Sequence, residues 1–170
     1  MKILKIQALR GPNIWSVQRK KLIQMRLDLE EMEQFPTNKI EGFRERIEAM
    51  FPTMIEHRCS EGCRGGFFSR VERGTWMGHV IEHIALEIQT LAGMETGFGR
   101  TRETKTPGIY NVVFSYTEEN VGLFAAESAV AIAESLIAGT EYDVEADIQK
   151  MREIRERVRL GPSTGSIVEE

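Results

Sequence analysis

Residues 75–92 read Thr75-Trp76-Met77-Gly78-His79-Val80-Ile81-Glu82-His83-Ile84-Ala85-Leu86-Glu87-Ile88-Gln89-Thr90-Leu91-Ala92, and the period of that stretch decides how the rest of the chain is arranged. With His79 set at zero on a wheel of about 3.6 residues per turn, Met77, Val80, Ile81, Ile84, Ile88 and Leu91 fall between roughly 100° and 200°. His79, Glu82, His83 and Leu86 lie within about 60° of zero. A helix from Thr75 as N-cap to Ala92, stopped by Gly93, is therefore predicted to pack its apolar stripe on a sheet. The opposite side, with the pattern H-x-x-E-H, is predicted to look away from that sheet. Imidazoles at i and i+4 stand one above the other, so His79 and His83 can reach one metal ion. Glu82 sits on the neighbouring flank, where it can take a proton from water.

The flanking elements follow by the same reasoning. Residues 2–9 read as a strand ending at a Gly11-Pro12-Asn13 turn. Residues 22–30 alternate Ile23, Met25, Leu27 and Leu29 with Gln24, Arg26, Asp28 and Glu30, the mark of a half-buried strand. Phe43, Ile47 and Met50 have helical spacing, and Pro52 stops that helix. Residues 57–66 are a glycine-rich loop, and 94–108 a long loop carrying Arg100, Arg102 and Lys105. Residues 109–116 make a further strand. A long alanine-rich helix over 118–138, ended by Gly139, and an amphipathic helix over 143–159 complete the domain. The predicted fold class is α/β (α+β): a small mixed or antiparallel sheet with long helices packed mainly on one face. Residues 1–160 form one domain, and 161–170 read as a linker.

Composition narrows the function classes. With 170 residues the chain is long enough for one well-buried core. A net charge of −4 argues against a dedicated nucleic-acid binder, whose domain is usually basic. The charge is unevenly spread, since 44–73 holds six arginines while 118–147 holds acids and no Lys or Arg. Solvated surfaces explain this most simply, although two opposed faces would suit a polymer bearing both charges. No run of about 18 apolar residues occurs, so no membrane span is expected. Two cysteines and an N-terminus without a signal-peptide core fit the cytoplasm.

A catalytic zinc usually has three protein ligands and an open position. His79 and His83 supply two, as metal ligands for zinc or another divalent metal, and Glu82 is the candidate catalytic base. Glu127 is the preferred third ligand, because a carboxylate inside an apolar helix needs a partner. Glu134 and Glu87 are reserves, and Glu87 is also placed to support the histidines. His57, Cys59 and Cys63 form a rival H-x-C-x₃-C group, for which two buried or loop thiols and a solvated histidine are the preferred reading. No phosphate-binding glycine motif is present. The order H-x-x-E-H is also that of the inverted zinc proteases, which is analogy.

Several dispersed stretches carry a closer likeness: Leu9-Arg10-Gly11-Pro12-Asn13-Ile14-Trp15-Ser16, Met25-Arg26-Leu27-Asp28-Leu29 and Cys59-Ser60-Glu61-Gly62-Cys63-Arg64-Gly65-Gly66-Phe67. Gly74-Thr75-Trp76-Met77-Gly78-His79, Gly97-Phe98-Gly99-Arg100-Thr101-Arg102-Glu103-Thr104 and Tyr110-Asn111-Val112-Val113 extend it over nearly the whole chain. The chain resembles the N-terminal domain of the cyanophycin synthetase family. Gly161-Pro162-Ser163-Thr164 resembles the junction toward an ATP-grasp domain absent from this sequence. The resemblance implies ATP-grasp and Mur-ligase-like domains as partners in a homo-oligomeric parent enzyme, with ligase activity residing in them. For this domain it implies binding of cyanophycin, a polymer of Asp and Arg, and metal-dependent cleavage of it to primers where H-x-x-E-H is kept. Arg100 and Arg102 are the expected contacts to the polymer's carboxylates, which arginine binds bidentately.

Overall fold

The computed structural model describes residues 1–9 and 21–161. The Gly11-Pro12-Asn13 turn and linker residues 162–170 lie outside that range. Four strands, β1 (Lys2–Leu9), β2 (Leu22–Asp28), β3 (Gly99–Glu103) and β4 (Ile109–Ser115), form one antiparallel sheet in the order β1-β2-β4-β3. β2 is paired on both edges, with Ile23, Met25 and Leu27 fully buried on the inner face and Gln24, Arg26 and Asp28 on the other. On β1 a register shift between Ile3 and Lys5 leaves Leu4 42% exposed, a bulge that roughens the outer edge.

The helices are α1 (Phe43–Met50), α2 (Gly66–Arg73), α3 (Met77–Leu91), α4 (Glu119–Ala138) and α5 (Val144–Leu160). On the inner face of the sheet, α4 packs against β1 and β2, and α3 against β3 and β4. Ala125, Ala126, Ala129 and Ala133 are fully buried on α4, and their small side chains let the two long helices approach closely. Arg46 of α1 donates to the carbonyls of Leu136 and Ile137 at 2.8 and 3.3 Å, satisfying backbone oxygens that the end of α4 leaves open. Contrary to the sequence reading, α4 reaches the length and mean hydropathy (1.6) of a membrane-crossing helix; 61% of that window is buried inside the domain, as in a core helix.

Three expectations need correcting. Residues 99–103 are strand rather than loop: Gly99-Arg100-Thr101-Arg102-Glu103 offers no apolar alternation, and only its backbone pairing with β4, Thr101 against Val112, makes it one. The glycine-rich stretch ends in α2, whose Phe67, Phe68 and Val71 are buried. Thr75 does not cap α3. Trp76 holds that position, and the Thr75 hydroxyl lies 3.0 Å from His79 Nδ1 instead.

Candidate metal centre

The first turns of α3 bring His79 and His83 together with ring centroids 4.7 Å apart and planes at 85°. Phe67 of α2, fully buried, lies against both rings. The segment before α2 adds a third donor: Cys59 Sγ stands 3.2 Å from His79 Nε2. Donor atoms of Cys59, His79 and His83 all lie within 4.8 Å of one another. Zinc bonds of about 2.0–2.3 Å in a tetrahedron place ligand atoms about 3.3–3.8 Å apart, so this group fits a metal after a small contraction.

Cys59 is held there by the chain around it. It is one of two described non-glycine residues with positive φ, at 55°, and such strain persists only where the surroundings enforce it. Phe67 N donates to His57 O at 3.0 Å and Gly65 N to Ile55 O at 2.7 Å, folding the turn back onto α2. Gly66 permits that closeness, because a Cβ there would lie 2.1 Å from the Arg58 carbonyl oxygen.

Glu127 is not in this group. It is exposed on α4, in a solvent stripe with Ala131, Glu134 and Ala138 at helical spacing. The carboxylate is therefore solvated and needs no metal. Glu134 shares the stripe and meets the N-terminal ammonium at 3.9 Å. Glu87 is buried next to the group but turned to His57 and Thr53. The rival H-x-C-x₃-C set divides: Cys59 joins the histidines, Cys63 is exposed, and His57 is hydrogen-bonded to His83 and Glu87 rather than solvated.

Burial sets the protonation states. It lowers His79 to about 4, with help from the Arg70 charge, and holds His83 well below the usual imidazole range, reinforced by His79 and His57. Both rings are thus neutral at pH 7, the form that binds metal. The 3.6 Å approach of His83 Nε2 to Glu82 Oε2 is accordingly no ion pair.

Glu82 faces the edge strand, where Thr101 donates to its Oε1 at 2.7 Å. Its flank therefore meets β3 rather than looking away from the sheet, since the sheet has one strand more than the sequence suggests. Burial pushes its carboxyl up to about 7, against the Thr101 hydrogen bond and the Arg102 and His57 charges. A folded-state value above the unfolded one near 4.3 stabilises the fold at low pH, and that contribution disappears as pH rises to about 7. In metal-free protein, Glu82→Gln is thus expected to be near neutral at about pH 4 and stabilising, on the order of 3 kcal/mol, at about pH 8. Urea denaturation with chelator at both pH values measures it, and an equal effect at both contradicts the assignment.

Gly99 leaves the room that Glu82 occupies: a Cβ there would lie 2.5 Å from Glu82 Oε2. Gly99→Ala should push the carboxylate off Thr101. The clash is with the end of a side chain rather than with backbone, so this variant should retain its fold with Glu82 displaced. A thermal melt and a crystal structure of the variant together check it.

The group opens into a cleft of about 780 Å³ between α3, β3 and the 56–60 segment. Arg58, Arg70, Arg100 and Arg102 line it beside Glu56 and Glu82, so its rim is mostly cationic. The arrangement brings together His79, Glu82, His83, Arg100 and Arg102 and leaves out Glu127. Cys59 and His57 enter the sequence reading only through the rival H-x-C-x₃-C group, where a thiol without a metal role and a solvated histidine are preferred; H-x-C in a glycine-rich turn was the signal for their place here.

Fold and cleft define an α+β domain with a three-donor metal-type group at the edge of its sheet. A family model described as the cyanophycin synthase-like N-terminal domain matches residues 24–138, and the chain belongs to that family. It is 53% identical, over its whole length, to a cyanophycin synthetase of Synechocystis sp. and to another of Geminocystis herdmanii. It is 52% identical to a cyanophycin synthetase of Trichormus variabilis. The chain spans about a fifth of the length of these relatives.

Proposed function

We propose that this chain is a metal-dependent peptidase that cleaves cyanophycin into short primers, and that it also binds the polymer. The observation that carries this is the convergence of Cys59, His79 and His83 with a buried Glu82 whose carboxyl is raised toward neutrality, in one open arginine-rimmed cleft. Cys59, His79 and His83 would hold a divalent metal, zinc being the best match to one sulfur and two nitrogens. When bound, such an ion polarises a carbonyl and makes water more acidic.

The protein's own groups do the rest. Glu82 takes the proton of the attacking water and returns it to the leaving nitrogen as the peptide C–N bond breaks. A carboxyl near 7 suits both transfers. Thr101 holds Glu82 in place, and Arg100 and Arg102 bind carboxylates of the polymer. A free thiol ligand is kept reduced in a cytoplasmic setting, which is the compartment we propose. ATP-grasp and Mur-ligase-like domains and a homo-oligomeric parent complete the reading for the longer relatives.

Polymer anchoring without cleavage is favoured by a separate observation. Lys5, Arg26, Asn111 and Arg102 stand opposite one another in register across the four strands, on the face away from the helices. Lys5, Arg26 and Asn111 of that row lie outside the cleft and would pair with carboxylates there. Incubation of purified cyanophycin with the metal-replete chain distinguishes the two. Short peptides whose release stops with chelator establish the peptidase; polymer retained intact by folded, metal-replete protein leaves an anchor.

A further inference from the structure

The two edges of the sheet are built differently. At the β1 edge the register slips between Ile3 and Lys5, and such a bulge discourages a further strand from pairing there. At the β3 edge the register runs without a shift from Gly99 to Glu103, and no proline interrupts it. That regular edge is also a wall of the cleft, which Gly99, Arg100, Thr101 and Arg102 all line.

The pairing fixes which backbone groups face the cleft. Thr104 N donates to Ile109 O at 2.8 Å, and Ser115 N to Phe98 O at 2.8 Å. Bonded and non-bonded pairs alternate along an antiparallel ladder, so Arg100 and Arg102 share the phase of Phe98 and Thr104 and bond β4. Gly99, Thr101 and Glu103 therefore turn their N–H and C=O groups away from the sheet. No described residue accepts from any of these three N–H groups. The Thr101 carbonyl accepts at 2.9 Å from the exposed Arg102 guanidinium, a contact that an incoming donor can replace. Thr101 opposes the buried Val112, so its side chain points to the helical side, where its hydroxyl holds Glu82. Arg100 and Arg102 are one residue out of phase and stand on the other face of the strand.

We propose that an extended, carboxylate-bearing peptide pairs with the free edge of β3 as a fifth strand of the sheet, and that this pairing sets which of its residues stands beside Glu82. A paired strand lies about 4.8 Å from its neighbour, which places the guest inside the cleft. Main-chain bonds supply affinity in this mode, and alternate side chains supply the choice of guest. Guest residues on the face of Arg100 and Arg102 meet guanidinium groups across the strands, so acids at every second position fit. The guest residue opposite Thr101 comes next to Glu82, because Thr101 offers its backbone to one and its hydroxyl to the other. Charge selects against a second copy of β3 as the guest. Arg58, Arg70, Arg100 and Arg102 already outnumber Glu56 and Glu82 in the cleft, and a second β3 would bring two more arginines. The identity of the guest rests on the peptidase reading above; the free edge does not.

The test uses the whole 170-residue chain, ¹⁵N-labelled and kept in chelator so that nothing is cut. The probe is a short synthetic segment of cyanophycin, and amide hydrogen exchange is read with and without it. Exchange at Gly99, Thr101 and Glu103 should slow about tenfold or more at saturation, while Arg100 and Arg102, already bonded to β4, stay unchanged. Equal slowing at all five overturns the pairing, as does no slowing at the first three or a segment that fails to bind. Slowing that appears without the segment and grows with protein concentration assigns the edge to a second copy and overturns the guest. A second probe, the same segment methylated on its backbone nitrogens, keeps every charge but loses its donors. It should bind about tenfold or more weakly, and equal affinity of the two segments overturns the proposal. Cleavage by metal-replete protein without edge protection removes the strand and spares the peptidase. Edge protection without cleavage keeps the strand and removes the peptidase.

Discussion

Glu82→Gln should lower the rate of peptide release from cyanophycin by 10²–10⁴-fold, with zinc content and polymer retention unchanged. That range is what a positioned general base contributes. Glutamine keeps the shape of the side chain and can still accept from Thr101, whose bond to Glu82 Oε1 is 2.7 Å, so geometry is not what the variant loses. What it loses is the proton site. The substitution also removes a carboxyl that burial raises to about 7, so the variant should be at least as stable as wild type at neutral pH. Loss of rate without loss of fold separates a base from a structural residue. Rates measured beside thermal melts and metal analysis decide it; an unchanged rate would assign the proton transfer elsewhere.

Cys59→Ala should abolish stoichiometric zinc binding, while Glu127→Ala should leave it unchanged. The contrast discriminates between the donor group that the fold assembles and the ligand that helix polarity suggests. Cys59 Sγ is 3.2 Å from His79 Nε2, whereas Glu127 is exposed on α4 and absent from the cleft lining. Supporting partners alone cost 10–100-fold in affinity, so removing one of three direct donors should exceed that. Metal analysis after gel filtration gives the answer. Zinc retained by Cys59→Ala would refute the sulfur ligand, and zinc lost from Glu127→Ala would restore the carboxylate.

These two residues also mark where sequence reading stops. The period of α3, the alternation of β2 and the apolar length of α4 are local patterns, and each produced the element it implied. His79, Glu82 and His83 were legible because one helical turn brings them together. Cys59 meets His79 only because α2 folds back under α3, and α2 was hidden by the glycines that precede it. β3 has no apolar period of its own. Its strand character comes from pairing with β4, so the residue touching Glu82, Thr101, could not be read as a neighbour. Glu127 failed for a different reason. Alanine is indifferent to exposure, so an alanine-rich helix can look buried all round and still turn one stripe to water.

The sheet has a further consequence as a partition. On its helical side stand the donor group and Glu82; on its other side, which no described helix covers, run Lys5, Arg26 and Asn111, with Gln7 and Gln24 around a shallow depression of about 70 Å³. Residues separated by a packed sheet respond to change almost independently. On the function proposed above, holding a chain and cutting it would then be separate traits of one small domain, each open to loss or strengthening without the other. Only at the β3 margin, where Arg100 and Arg102 border the cleft and end the outward rows, would one alteration touch both.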